Sequence, residues 1–509
     1  MYRFQFIGIE NTNQYEELIK VFMQPSEYEI VRAGEAQKAP ERQAAQGAEN
    51  DDLADFVYEY TGDKDAVKRR LYDDLAALTG KKPKWGILTG IRPVKLAGEL
   101  QKTSAAGMAN MPDGTTAGRN TCGVQKILQS DYYLHETKAA LTQEILDYQQ
   151  KQIGKPKLGS LSVYIGIPFC PTRCLYCSFT SNQVADSEID RYLQALHTEI
   201  EACGQMLREG RPAGWEASHM CTAVGYRPPG WDEKRWPDHY EIESIYFGGG
   251  TPTTLNAKQL DELLTRTEQS FDLSKIREFT VEAGRPDTIT EDKIRVLLDH
   301  GVDRISINPQ TTKQKTLNLI GRKHTVEDVY KAFDIAKKCG VPVINTDLIA
   351  GLPEESHEDF MKSVREIIDL GADNITLHTL AVKRASRLKE LDENFNYRDE
   401  LLREEMLNDA HQKLRANGFR PYYLYRQKHT SGNTENTGFC KEDKASIYNI
   451  RIMEEAQSIL ALGAGGISKV YYPAENRLER VANVSNYQIY IERIDEMINR
   501  KRTGGIVSC

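Results

Sequence analysis

The chain has 509 residues, enough for two or three domains and a large core. Lys and Arg number 66 against 74 Asp and Glu, a net charge of −8, which argues against a nucleic-acid-tracking surface. No apolar run approaches the roughly 18 residues that span a bilayer. The opening "MYRFQFIGIE" lacks the layout of a secretory leader, so a cytoplasmic protein is expected.

In chain order, "RFQFIGIE" and "DFVYEYTG" alternate like strands, while "QYEELIKVFM" and "DAVKRRLYDDLAAL" have helical spacing. Two stretches, 33–52 and 103–121, are rich in Ala, Gly and polar residues and are expected as surface loops. Between them lies the compact "KWGILTGIRPVKLAGEL". The helix-like "HETKAALTQEILDYQQKQI" then leads to a short linker. This first region, 1–159, reads as an α+β domain of unassigned role.

From residue 160 a rhythm sets in. "LSVYIGIPF", "IESIYFGGG", "EFTVEAG", "VDRISINPQ", "VPVINTDLIAGLP" and "ADNITLHTLAV" are apolar runs, and amphipathic helical patterns separate them. Gly301, Gly340 and Gly371 stand where C′ glycines close helices. Strand alternating with helix implies a parallel sheet covered by helices. Six units predict a partial (β/α)6 barrel over 160–382, with ligands gathered at the C-terminal strand ends. One insertion, 213–240, breaks the rhythm. The remainder, 383–509, reads as a smaller α+β cap with a long charged helix and the strand "PYYLYRQ".

Nine cysteines are present, and three of them, Cys170, Cys174 and Cys177, fall within eight residues in "CPTRCLYC". Cys122, Cys203, Cys221, Cys339, Cys440 and Cys509 are scattered and are expected to be structural or incidental. A structural zinc site uses four protein ligands. A disulfide would leave one thiol over, in a reducing compartment. An iron–sulfur cluster normally takes four thiolates. Three thiols on one loop would leave one iron of a [4Fe–4S] cube open, and an open position marks a catalytic rather than a structural metal site. The missing ligand is then a substrate or cofactor. "YFGGGTPTTL" puts three glycines at a strand end, where backbone can approach a ligand closely. Glu282 in "TVEAGRP" and Asp347 in "NTDLIAGLP" place carboxylates among apolar residues, which is costly without partners. Gln310 and Arg322 add a neutral amide and a carboxylate fork.

The C-x3-C-x2-C spacing resembles the radical S-adenosylmethionine (SAM) superfamily. That resemblance implies a [4Fe–4S] cluster on Cys170, Cys174 and Cys177. SAM chelates its unique iron and is cleaved to a 5′-deoxyadenosyl radical. "YIGIPFCPTRCLYCSF", "YFGGGTPT", the Gln310–Arg322 interval, "DLIAGLP" and "ILALGAGGIS" together resemble the oxygen-independent coproporphyrinogen III oxidase-like family, over roughly 161–469. "KWGILTGIRPVKL" is similar to its longer branch, usually called coproporphyrinogen dehydrogenase, which carries an extra N-terminal domain. The resemblance implies that Tyr164, Gly249 and Glu282 contact the cluster-bound SAM. Tyr176, Gly250, Thr251, Gln310, Arg322, Asp347 and Ala381 would line a neighbouring site that holds a second SAM in the decarboxylating members. Tyr164 and Tyr176 would lie beside the chemistry.

The implied activity is conversion of two propionates of coproporphyrinogen III to vinyl groups in anaerobic haem biosynthesis. The family also includes a haem-binding chaperone, and a third reading is another radical porphyrin modification. The implied partners are a tetrapyrrole and an electron donor such as flavodoxin or ferredoxin, with the chain a monomer. Lys383, Arg384, Arg387, Arg426 and Lys428 are cationic candidates for holding propionates. Departures from the family pattern are Gly166 where the oxidases have histidine, E-A-G-R-P where E-x-x-P is usual, and a tail without Y-W after Asn449.

Overall fold

The computed structural model describes residues 1–31, 55–90, 92–108, 120–177, 181–209, 240–380, 400–426, 434–473 and 475–503. The expected loop at 33–52 and nearly all of the 213–240 insertion lie outside these, as do Ala381, Lys383, Arg384, Arg387 and Lys428. The chain forms two compact units. One holds Met1–Asp147 together with short returns that include Leu424–Glu435, and the other holds most of Tyr148–Cys509.

In the first unit, β1 (Tyr2–Ile7) runs parallel between β2 (Tyr28–Val31) and β3 (Phe56–Glu59). Alternation along β1 buries Phe4 and Phe6, and Phe6 stacks on Tyr15 of helix Asn13–Phe22 and on Tyr58. A second core gathers Trp85, Val94, Leu128, Ile145 and Leu424. The expected loop at 103–121 is partly helical, because helix Pro93–Met108 runs through Thr103 and the next helix begins at Asn120. Alanines bury little surface but are the best helix formers, so composition there misleads.

In the second unit, β4 (Ser160–Ile167), β5 (Glu241–Gly249), β6 (Glu278–Glu282), β7 (Arg304–Ser306), β8 (Val343–Ala350) and β9 (Asn374–Thr379) lie side by side in sequence order, all parallel. This is the (β/α)6 order of the expected partial barrel. Each strand is buried on both faces and so reads as a continuous apolar run. Helices Ala257–Ser270, Val326–Cys339 and His357–Asp369 begin at capping boxes on Asn256, Thr325 and Ser356. Gly301, Gly340 and Gly371 follow their helices with φ of 72°, 82° and 75°.

The region after 382 does not stand apart as a cap. β10 (Phe419–Arg426) and β11 (Glu435–Lys441) extend the sheet beyond β9. β12 (Ser458–Leu462) pairs parallel with β4, and β13 (Ile467–Tyr472) and β14 (Arg477–Ala482) follow it. An unclosed six-stranded sheet leaves unpaired backbone groups along its two outer strands, and the C-terminal strands satisfy both edges.

Candidate active site

The three cysteines follow β4 directly. The chain leaves the strand at Ile167, and Cys170 N–H donates to Asn182 O at 3.0 Å while Asn182 N–H returns to Pro168 O at 2.8 Å. A turn brings Cys177 N–H to Cys174 O at 3.2 Å, and Leu175 N–H reaches Ile320 O at 3.0 Å. All three cysteines are partly buried thiols rather than disulfides. Burial pushes the Cys170 thiol up to about 11. Its Sγ lies 3.4 Å from the Thr251 hydroxyl.

The glycine run after β5 packs against this loop. Gly249 has φ +109°. A β-carbon at Gly250 would sit 2.4 Å from the Phe169 carbonyl oxygen, so only glycine fits. Gly250 N–H and Thr251 N–H donate to Ile167 O and Phe169 O, both at 2.7 Å. The run therefore braces the backbone entering the cysteine loop.

Glu282 ends β6. It accepts a short hydrogen bond from the Tyr246 hydroxyl and another from the Gly249 N–H. Burial, opposed by Tyr246 and reinforced by Asp347, pushes its carboxyl up to about 7. Tyr164 and Tyr246 are register partners on β4 and β5, their rings stacked at 6.3 Å. Tyr448 stacks on Tyr246 at 4.5 Å and on Tyr164 at 6.3 Å. Two positions further along, on the same face, Gly166 pairs with Gly248. A β-carbon at Gly248 would lie 2.9 Å from the Tyr246 ring and 3.2 Å from both Glu282 Oε2 and the Tyr164 ring. The glycine thus leaves the room in which Tyr246 reaches Glu282.

Gln310 adopts φ +70°, unusual for a residue with a side chain. Its backbone bridges to β8, with N–H to Asp347 O at 3.1 Å and its carbonyl accepting from Ile349 N–H at 3.0 Å. Its buried side-chain Oε1 has no hydrogen-bond partner among the described residues, which leaves it able to accept from a ligand donor. Asp347 Oδ1 accepts from Asn345 at 3.2 Å, and Asp347 Oδ2 lies 3.6 Å from His378 Nε2. Arg322 is buried. It donates to the Tyr176 hydroxyl at 2.9 Å, to Gly284 O at 2.9 Å and to Asn308 O at 2.6 Å. The expected carboxylate fork is thus engaged with the protein's own carbonyls and with the cysteine loop.

Of the candidate residues, Tyr164 and Asp347 lie within β4 and β8, Gly249 and Glu282 end β5 and β6, and Tyr176, Gly250, Thr251, Gln310 and Arg322 lie in the segments that follow β4, β5 and β7. Arg426 belongs to the first unit, where its guanidinium covers the Trp85 ring at 5.2 Å and donates to Leu88 O. It is a buried packing residue there. Tyr246, Tyr448 and Arg285 were not singled out by sequence. The alternation of Tyr246 with Gly248 on β5 was the available signal for the first of them.

Among the described residues no three His, Cys, Asp or Glu side chains converge on a single-ion position. A four-iron cube asks something else, since each thiolate binds a different iron. Three thiols on one braced loop, with a partly buried carboxylate on β6 and an amide oxygen after β7 that is unpartnered among the described residues, fit a cluster with an open iron and a polar ligand next to it.

Residues 232–367 match the family model described as "Radical SAM superfamily". The chain is 38% identical over 434 residues to the oxygen-independent coproporphyrinogen-III oxidase-like protein HemZ of Bacillus subtilis, covering 84% of this chain and 78% of that protein. It is 32% identical over 225 residues to the heme chaperone HemW of Lactococcus lactis, covering 44% and 49% of the two chains. Among solved structures, coproporphyrinogen III oxidase from Escherichia coli aligns over 69% of this chain and 73% of that one, with a TM-score of 0.48 and 19% identity. No helix among the described residues is long and apolar enough to cross a membrane. The cysteine loop, the parallel strands that carry it and the extent of the HemZ match lead to one assignment: the chain belongs to the oxygen-independent coproporphyrinogen III oxidase-like family of radical SAM proteins.

Proposed function

We propose that the protein is an oxidoreductase that decarboxylates propionate side chains of coproporphyrinogen III to vinyl groups. The observation that carries this reading is the site itself. Three thiols follow the first barrel strand, the partly buried Glu282 ends β6, and the buried Gln310 lies in the segment after β7. Cys170, Cys174 and Cys177 would hold a [4Fe–4S] cluster, which with SAM supplies a carbon radical able to take a hydrogen atom from a propionate β-carbon. Glu282, steered by Tyr246 and Gly249, is suited to accept hydrogen bonds from a ribose. Tyr164 offers an aromatic wall beside it. Gln310 Oε1 and Asp347 are acceptors suited to a second SAM. The protein's further part is to hold the substrate close and exclude water. The substrate radical then loses CO2 and passes one electron to an external one-electron acceptor, which leaves the vinyl group.

The test is anaerobic reconstitution followed by SAM, a reductant and coproporphyrinogen III. Protoporphyrinogen and CO2 are expected. Haem binding without turnover would replace this reading with the chaperone. A product that keeps all four carboxylates would replace it with another porphyrin modification.

A further inference from the structure

The segment after β7 and the segment after β8 are clasped together. Each carries a left-handed residue that is not glycine, Gln310 at φ +70° and Glu354 at φ +56°. Such conformations cost free energy and persist where the surroundings over-determine them. The clasp does this. The Thr311 hydroxyl donates a short hydrogen bond to Glu355 Oε1 and accepts from Lys313 N–H at 3.0 Å. Thr312 donates to Ser363 Oγ from its N–H at 3.0 Å and from its hydroxyl at 3.1 Å. Lys313 Nζ donates to Glu354 O at 2.8 Å and to Asp359 Oδ2 at 2.7 Å. Residues 311–313 are thus each fixed to the stretch 354–363, and Thr311, Thr312, Glu355 and Ser363 are all buried.

Gln310 itself is held from the other side, by its backbone bonds to Asp347 O and Ile349 N–H. Its Oε1 is nonetheless buried with no hydrogen-bond partner among the described residues. A polar atom kept in a costly backbone conformation, and left unpartnered by the fold, is a ligand group rather than a structural one. Glu355 is the acid at the centre of the clasp. Burial, opposed by the Thr311 hydrogen bond and by Lys313 and reinforced by Asp359, pushes its carboxyl up to about 7. Its Oε2 has no hydrogen-bond partner among the described residues, where an ionised oxygen would be costly.

We infer that Glu355 is a positioning residue: through the Thr311 hydroxyl it holds the turn that presents the Gln310 amide oxygen to the bound ligand. This rests on the reading that this oxygen accepts a hydrogen bond from SAM. Glu355 works as an uncharged acid, so an amide of the same shape can replace it. Its effect on binding passes through Gln310.

The test uses the full chain, reconstituted anaerobically at pH 6, below the folded value of Glu355. Bound iron is measured, and SAM binding is followed by equilibrium dialysis with labelled SAM. Gln310→Ala should weaken one class of bound SAM about tenfold, the loss of roughly one hydrogen bond. Glu355→Ala and Thr311→Val should weaken the same class by a similar factor with iron content unchanged. Glu355→Gln should stay within about twofold of wild type. In the Gln310→Ala background, Glu355→Ala should add less than about twofold, because no amide is left to position. A multiplicative loss in that double variant overturns the proposal, since Glu355 would then act on the fold rather than through Gln310. Glu355→Gln as weak as Glu355→Ala also overturns it. If Glu355→Ala does not fold, Thr311→Val takes its place in the same cycle, because it keeps the residue's shape and removes only the hydroxyl. A multiplicative loss there overturns the proposal equally. Wild-type affinity in Glu355→Ala, with Gln310→Ala weakened, overturns this proposal alone. Wild-type affinity in Gln310→Ala overturns the reading of its amide as a ligand group, and this proposal with it.

Discussion

Glu282 prefers its proton in the folded chain, because burial and the nearby Asp347 outweigh the hydrogen bonds from Tyr246 and Gly249 that favour its charge. Its folded value near 7 lies above the ordinary carboxylate range. The folded state therefore binds this proton more tightly than the unfolded state. The associated stability is fully present below the unfolded value, near pH 4.5, and is lost as pH rises through about 7. Glu282→Gln cannot ionise and removes that dependence. Denaturant titrations of the metal-free protein should show wild type losing roughly 1–3 kcal/mol relative to Glu282→Gln between pH 5 and pH 8. Equal pH slopes in the two proteins would refute the assignment. Glu282 and the three cysteines are legible in the sequence because each signal is local: a carboxylate in an apolar run, three thiols in eight residues. Tyr246 is not, because its contact with Glu282 and its stack on Tyr164 depend on the register of β4, β5 and β6, and Tyr448 enters from far along the chain.

The loop after β4 and the loop after β5 form one piece. Gly250 and Thr251 lock onto Ile167 and Phe169 through two backbone hydrogen bonds, and no β-carbon fits at Gly250. Gly250→Ala must push the Phe169 carbonyl away and open that joint, at a cost of about 1–3 kcal/mol from overpacking. Cys170 is the next residue after Phe169, so the strain falls on the cluster loop. The variant should bind less iron after reconstitution than wild type while its far-ultraviolet circular dichroism stays unchanged. Full iron retention would show the joint to be dispensable. The run of six strands and their helices is legible because buried parallel strands lack alternation and capping residues mark the helix ends. The joint between "GGGTP" and the cysteine loop is not, since a glycine run allows a ligand cradle and a close backbone contact equally. In this structure two of its N–H groups are spent on the contact.

At the level of the whole chain, the C-terminal segment extends the sheet at both edges rather than capping it. β12 pairs with β4, and the turn after β12 rests on the end of β4: Tyr192 donates to Gly166 O at 2.6 Å and accepts from Ala464 N–H at 3.0 Å. Sequence patterns identify strands but not which distant strands share an edge, so the separate cap was the natural reading of 383–509. The same turn is tied to the last helix, Ile494–Thr503. Glu199, on helix Asp186–Glu209, is wholly buried and accepts from Gly463 N–H at 2.7 Å, Tyr490 at 2.6 Å, Asn483 at 2.8 Å and Lys501 Nζ at 2.5 Å. Lys501 is equally buried and also donates to Asn483 Oδ1 at 2.6 Å. Breaking a buried ion pair by removing one partner leaves an uncompensated charge and typically costs about 3–5 kcal/mol. Lys501→Met should destabilise the chain by that order in denaturant titration. Glu199→Gln combined with Lys501→Met removes both charges and should recover part of the loss, because neither ion is then left buried alone. If the double variant were as unstable as the sum of the two single changes, Glu199 and Lys501 would be acting independently rather than as an ion pair.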